Sequence, residues 1–240
     1  MKKEKILIII PAYNEEENIE KTYQKIIQYN ENNAVQYDII VINDGSKDNT
    51  GKICRQHNIP TIHLINNLGI GGAVQTGYKY AYENDYDIAV QFDGDGQHNI
   101  NYVENIVSPI IKGQADFVIG SRFKEKDSDN FKSTFTRRIG INIISTFIKL
   151  FTRKKIYDTT SGFRACNKFI IKQFSENYPL EYPEPITTVE LIKKGYRVLE
   201  VQVKMNEREG GKSSINSWKN LYYMINVVLS IIVVGIRRYK

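Results

Sequence analysis

The sequence predicts an α/β fold with a largely parallel central sheet, and three observations carry that prediction. Short β-branched apolar runs recur along the chain, helix-length amphipathic segments separate them, and a polar motif follows each run. The runs show little alternation, as expected for parallel strands covered on both faces. In sheets of this kind ligands bind beyond the carboxyl ends of the strands, so motifs at successive ends predict one shared cleft.

The first strand is placed at Ile6–Ile10 and runs into "PAYNEEEN". Asn14 is expected to cap the following helix, with Glu17 at the capping-box position and carboxylates in the first turn. An apolar run this short before Pro11 does not suit a signal peptide, so the start of the chain reads as a strand. The second strand, Asp38–Ile42, ends in "NDGSKDNT". Ser46 or Asp48 there suits a helix start, and Asp44 suits hydrogen bonding to a nucleobase or ribose. A third strand, Ile62–Ile65, ends in "NNLGIGG" and leads to a helix over Gly72–Tyr82. The fourth, Ile88–Phe92, stops at "DGDGQH", before a helix over Ile100–Lys112. Phe117–Ile119 precedes "GSRF", and a later strand, Val198–Val203, precedes "NEREGGKSS".

Composition narrows the class. At 240 residues the chain can bury a real core, and 41% hydrophobic with 25% charged residues argues against wholesale disorder. A net charge of +6 suits an anionic partner such as a nucleotide, a phospholipid surface or nucleic acid. The two cysteines, Cys54 and Cys166, are too few and too far apart for a disulfide framework or structural zinc, which fits a reducing cytosol.

Two carboxylates at a strand end need a reason. Asp93, Asp95 and Gln97 alternate, so in an extended stretch their oxygens share one side. That set suits Mg²⁺ or Mn²⁺, with a substrate phosphate completing the shell; the competing reading is an acidic turn. His98 reads as a neighbour of this set rather than a ligand. "GAVQTGYK" has Tyr78 where a P-loop needs lysine, "NEREGGKSS" has Asn206 in place of the first glycine, and "GIGGAV" has Val74 where the dinucleotide fingerprint needs glycine. Nucleotide hydrolysis and hydride transfer both lose ground. Arg208 and Lys212 beside a glycine pair suit a clamp on phosphate oxygens, or else form a basic surface loop. In "DTTSGFRACNK", Asp158 is either a base or a structural partner of Arg164.

Taken in order, "IIIPAYNEEENI", "DIIVINDGSKDNT", "NNLGIGGAVQTGYKYA", "QFDGDGQH", "GSRF", "DTTSGFRA" and "EVQVKMNEREGGKSS" resemble the family-2 inverting glycosyltransferases, nearest to dolichyl-phosphate mannose synthases and bacterial polyprenyl-phosphate glycosyltransferases. The resemblance runs from about Ile6 to Ser214. It implies a GT-A-type nucleotide-sugar-binding fold whose fourth strand ends in a DxD metal site. By that resemblance Pro11, Tyr13, Glu15, Asp44 and Asp93 line the nucleotide pocket. Asp93, Asp95 and Gln97 hold Mg²⁺ or Mn²⁺, and Arg122, Arg208 and Lys212 meet phosphates. Many relatives carry a Glu-Asp pair as base, and "EYPEPITTVEL" has none; Glu184 or Glu190 can stand in, with Asp158 as an acceptor-side candidate. A phosphate acceptor needs no strong base, so the departure leans toward polyprenyl phosphate.

Residues 1–214 are therefore expected to form the catalytic domain and 215–240 an apolar, basic helix. From Trp218 to Ile236 that helix would be ~28 Å long, borderline against a ~30 Å hydrocarbon core. Trp218, Tyr222 and Tyr223 suit a membrane interface. An in-plane membrane-docking helix is expected, with a protein-interface helix as the alternative. The overall expectation is transfer of a sugar from a nucleotide sugar to polyprenyl phosphate at the cytosolic membrane face. Expected partners are the membrane surface and an integral membrane protein or a second copy, without nucleic acid. The alternatives are transfer to a hydroxyl of a lipid-linked or cell-surface glycan, and a non-catalytic sugar-nucleotide-binding scaffold.

Overall fold

The isoleucine-rich start of the chain forms β1 (Ile6–Ala12), buried along its whole length. Leu7 and Ile9 enter one layer of the core, and Ile6, Ile8 and Ile10 the other. Burial on both faces explains why this strand lacks polar alternation. The computed structural model describes residues 4–33, 35–124, 135–206 and 217–239.

Elements follow in the order α1 (Ile19–Asn33), β2 (Tyr37–Asn43), α2 (Thr50–Gln56), β3 (Thr61–His63), α3 (Gly69–Glu83) and β4 (Ile88–Gln91). A single 3₁₀ turn at Ile100–Tyr102 leads into α4 (Val103–Ile111) and β5 (Phe117–Ser121). Then come α5 (Phe135–Thr152), β6 (Arg164–Asn167), α6 (Lys168–Glu176), α7 (Pro183–Lys193), β7 (Val198–Gln202) and α8 (Ser217–Ile236). The strands form one sheet in the order β3-β2-β1-β4-β6-β5-β7. Every pairing is parallel except those of β6, which is antiparallel to β4 and β5. Side chains of α1, α2 and α4 cover one face of the sheet, and those of α3, α5, α6, α7 and α8 the other.

Glycine spacing in "GGAVQTG" has a packing cause. A Cβ on Gly77 would stand 2.2 Å from Ile9 Cγ2, so glycine lets α3 lie directly on β1.

Several expectations are corrected here. Asn14 does not cap α1, which starts five residues later; its φ of 57° turns the chain back toward the second loop. The third strand ends at His63, and Ile65 is 96% exposed because the chain has already left the sheet. The predicted strand at Val198–Val203 ends at Gln202, and the helix expected from Gly72 begins at Gly69. The C-terminal segment is helical, and Val227 and Ile231 are fully buried in the core. Gly140 on α5 faces Met224 on α8, and Phe151 faces Gly235, so the two helices run parallel. Among the described residues no helix is long and apolar enough to cross a membrane. The side chains of Trp218, Tyr222 and Tyr223 lie outside what the structure describes.

The α3–β1 contact makes Gly77→Val costly. Overpacking at such a close approach should remove about 2–3 kcal/mol of stability. A urea midpoint lowered at unchanged m would confirm it; an unchanged midpoint would show that α3 can lift off the sheet.

Candidate active site

The first two loops build the rim of a cleft by bonding to each other. Asn14 N–H donates to Ser46 Oγ (3.0 Å), and Asn14 Oδ1 accepts from Lys47 N–H (2.8 Å). Glu15 N–H donates to Thr50 Oγ1, while Glu16 Oε2 accepts from both the backbone and side-chain nitrogens of Asn49. The N-cap position of α2 falls on Asn49 rather than on Ser46 or Asp48; Asp48, one residue earlier, accepts through Oδ1 from Thr50 N–H and Oγ–H and through Oδ2 from Glu16 N–H.

Behind this rim lies a cavity of about 630 Å³ at the carboxyl ends of β1, β2 and β4. Pro11, Tyr13, Glu15, Asp44, Asp93 and Asp95 all line it, so the end of β1 and the three loops bring six predicted residues to one place. Asp44 is almost fully buried, and its Oδ1 accepts from Leu68 N–H at 2.7 Å. That bond ties the third loop to the second. Asn67, Gly69, Ile70 and Ala73 complete the wall. These last residues received no role from the sequence, although "NNLGIGG" stood out as a loop.

The stretch from Asp93 to Gln97 is a turn, not an extended segment. Gly96 has φ +78°, and Gln97 N–H donates to Asp95 Oδ1 (3.1 Å). Asp93 and Asp95 still face the cavity; Gln97 is instead part of the turn backbone, its carbonyl accepting from Asn206 N–H. His98 is a buried neighbour, as expected. Its Nδ1 accepts from Asp93 N–H (2.8 Å), and its ring stacks on Phe163 with centroids 4.8 Å apart. Burial pushes its imidazole down to about 4, which keeps it neutral near pH 7. A neutral ring already bonded through Nδ1 supports Asp93 rather than binding a cation itself.

Two carboxylates on one cavity wall fit a hard divalent ion of the Mg²⁺ or Mn²⁺ type, which takes few protein oxygens and fills its shell with water and phosphate. Among the described residues no three His, Cys, Asp or Glu side chains cluster as an all-protein metal cage. Space is arranged around the first carboxylate. A Cβ on Gly162 would lie 2.7 and 2.9 Å from the two Asp93 oxygens.

Arg122 and Asp158 resolve an open pairing. Asp158 pairs with Arg122, not Arg164: Nε and Nη2 each meet a carboxylate oxygen at 2.7 Å, and Arg122 N–H adds a third bond. Both groups are buried, Asp158 completely. Its two oxygens are thus committed to Arg122, which removes it from acceptor-side base chemistry. Arg122 has Asp93 as an attractive neighbour, so its positive charge is felt at the first carboxylate. Glu200 in turn fixes the Asp158 loop by accepting Tyr157 and Asp158 N–H groups.

Glu184 is half-buried in the first turn of α7. Burial raises its carboxyl above the usual range, Asp93 adds to the rise, and Arg164 opposes it. Glu190, by contrast, is held by Lys194 one turn along α7 (2.6 Å). Arg208 and Lys212 lie outside the described residues.

The chain matches Glycosyl transferase family 2 over residues 7–175 and belongs to that family. It is a glycosyltransferase. A relative from Methanococcus voltae, UDP-N-acetylglucosamine–dolichyl-phosphate N-acetylglucosaminyltransferase, is 34% identical over 79% of this chain and 80% of its own. The polyprenol monophosphomannose synthase of Mycolicibacterium smegmatis is 26% identical over 89% of this chain and 82% of its own. Among solved structures, glucosyl-3-phosphoglycerate synthase from Mycobacterium tuberculosis, crystallised with Mn²⁺, UDP and phosphoglyceric acid, superposes with a TM-score of 0.68. It is 16% identical, over 99% of this chain and 80% of that one, and shares the fold.

Removing Asp158 tests the buried pair. Asp158→Ala would strip the buried Arg122 guanidinium of its bidentate partner and should cost about 3–5 kcal/mol in urea unfolding. A loss below about 1 kcal/mol would match a solvent-screened pair instead.

Proposed function

We propose that this glycosyltransferase moves a sugar from a nucleoside-diphosphate sugar to a polyprenyl phosphate at a membrane surface. The observation that carries the reading is the convergence of Pro11, Tyr13, Glu15, Asp44, Asp93 and Asp95 on one cavity. Relatives named for transfer to dolichyl, polyprenol and undecaprenyl phosphates support the acceptor.

In this reading the walls of the first three loops take the nucleoside, with Asp44 turned to the base or ribose. Asp93 and Asp95 hold Mg²⁺ or Mn²⁺ against the donor diphosphate; the bound ion would offset charge that builds on the departing nucleoside diphosphate. Asp158 keeps Arg122 fixed, and its charge adds positive potential near Asp93. Glu184 faces the acceptor side, where a phosphate monoester is already an anionic nucleophile and needs orientation more than deprotonation. Arg208 and Lys212 are assigned to phosphate oxygens.

Docking is assigned to α5 and α8. Ile225, Leu229, Val233 and Ile236 of α8 are 52–68% exposed, and Ile143 and Leu150 extend this apolar surface onto α5. Neither helix contains Asp or Glu, and exposed Lys149, Arg153, Arg237 and Arg238 lie at their carboxyl ends. An apolar surface with a basic border suits the headgroup region of an anionic bilayer.

Mass spectrometry of the products should find a glycosyl monophosphate lipid when the enzyme is given polyprenyl phosphate, Mn²⁺ and UDP- or GDP-sugars in turn. Asp95→Ala should lower turnover about a hundredfold to a thousandfold. A lengthened glycan would move the acceptor to a hydroxyl. Absence of both turnover and metal-linked UDP or GDP binding would sink the enzyme reading.

Leu229→Glu/Val233→Glu should release the protein from anionic vesicles in flotation, with unfolding changed by no more than about 0.5 kcal/mol because both positions are exposed. Undiminished flotation would place the membrane contact elsewhere.

A further inference from the structure

Arg164 is among the most deeply buried large side chains, 1% exposed. Its fork reaches two separate turns. Nε donates to Ser161 O (2.6 Å), while Nη1 donates to Glu184 O (2.9 Å) and Thr187 Oγ1 (3.0 Å). Each turn neighbours the Asp93 side of the cleft, the first by contact and the second through the charge of Glu184. Ser161 precedes Gly162, which backs directly onto the Asp93 carboxylate. Glu184 lies in the first turn of α7 and Thr187 opens the second.

Stability alone gives a poor account of this residue. Nη2 is buried with no hydrogen-bond partner among the described residues, and so are both amide atoms of Gln91, its register partner on β4. A buried cation with an unmet donor is an expensive way to fill a core that apolar side chains can fill. The entrance to α7 is also strained, since Tyr182 has φ 51° without being glycine. Such a backbone persists where surrounding contacts over-determine it. Arg164 supplies two of those contacts within the next five residues.

We propose that Arg164 is a positioning residue that sets the separation between Asp93 and Glu184 by tying the Ser161–Gly162 turn to the start of α7. It touches neither substrate in this assignment and acts through the two backbones. The proposal rests on the reading above, in which Asp93 serves the donor side and Glu184 the acceptor side.

Three variants separate its two arms. Arg164→Lys keeps a charge but loses the fork, so it should raise the Mn²⁺ concentration needed for half-maximal rate and also lower kcat at saturating Mn²⁺, each by about tenfold. Gly162→Ala, which disturbs only the Asp93 arm, should move the Mn²⁺ requirement far more than kcat. Thr187→Val, which disturbs only the α7 arm, should lower kcat and leave the Mn²⁺ requirement in place. A residue that merely stabilises the fold would lower Tm in Arg164→Lys without shifting the Mn²⁺ requirement of the folded fraction. That result, or an effect on one arm alone, would overturn the proposal. Should Arg164→Lys fail to fold, Thr187→Val decides: unchanged kcat overturns it. Should the wild type transfer no sugar at all, the functional reading is what fails. Amide exchange then tests the tie directly: Arg164→Lys must accelerate exchange in both 159–163 and 183–187, and acceleration in one or neither overturns it.

Discussion

The site depends on one constraint: β1, β2 and β4 must finish side by side. Parallel pairing sets Ala12 against Asn43 and Ile9 against Gln91, so Tyr13, Asp44 and Asp93 emerge from adjacent ends at the same edge. A slip of one residue would turn each strand's side chains to the opposite face and disperse that set. The apolar residues that specify the register therefore place the polar residues that follow them. The Asn14 turn then closes the arrangement, because its left-handed backbone aims the first loop at Ser46 and Lys47.

A second tier of the structure fixes charge. β6 enters the sheet antiparallel, between β4 and β5, and the segment leading into it carries Asp158, Ser161 and Gly162 past the back of Asp93. Glu200 from β7 holds the Asp158 amide, Asp158 holds Arg122, and Arg122 has Asp93 as an attractive neighbour. Inside a low-dielectric region each of these groups is costly without its partner, so the chain of pairings is rigid as a unit. Arg164 makes a parallel connection on the other side, reaching two turns rather than a carboxylate.

Legibility in the sequence divided along physical lines. The parallel strands were readable because two-sided burial removes polar residues from the run, and the motifs at their ends marked the cleft. Six of the predicted residues meet in one cavity for that reason. β6 was missed: "RACN" is four residues long, begins with a charge, and is buried only through its neighbours. The partner of Asp158 was equally invisible, since Arg122 lies 36 residues away while Arg164 is six away and belongs to the same motif. Local spacing favours the wrong arginine; the antiparallel insertion of β6 turns Arg164 toward Ser161 and α7. The extended reading of Asp93–Gln97 failed for a related reason, because the glycines that allow a ligand to approach also allow the Asp95 carboxylate to bond its own turn.

The C-terminal helix shows why hydropathy alone misjudges such a segment. Its apolar residues serve two surfaces: Val227 and Ile231 fill the core beside α5 and α7, whereas Ile225, Leu229 and Val233 face outward. A spanning helix would have lipid on most of its circumference, and this one gives much of it to protein. Its parallel companion α5 begins after β5, and α8 begins after β7, two strands that finish in register at Ser121 and Gln202. Lys154, just past α5, donates to Val198 O at the start of β7, so α5 and its parallel companion run toward the opposite edge of the sheet from the one where the cavity opens. If lipid covers their outer face, an acceptor with a polar head and a long apolar tail has its head at the carboxylates and its tail along the helix pair. The same sheet register that gathers the aspartates would then also orient the cleft toward the membrane.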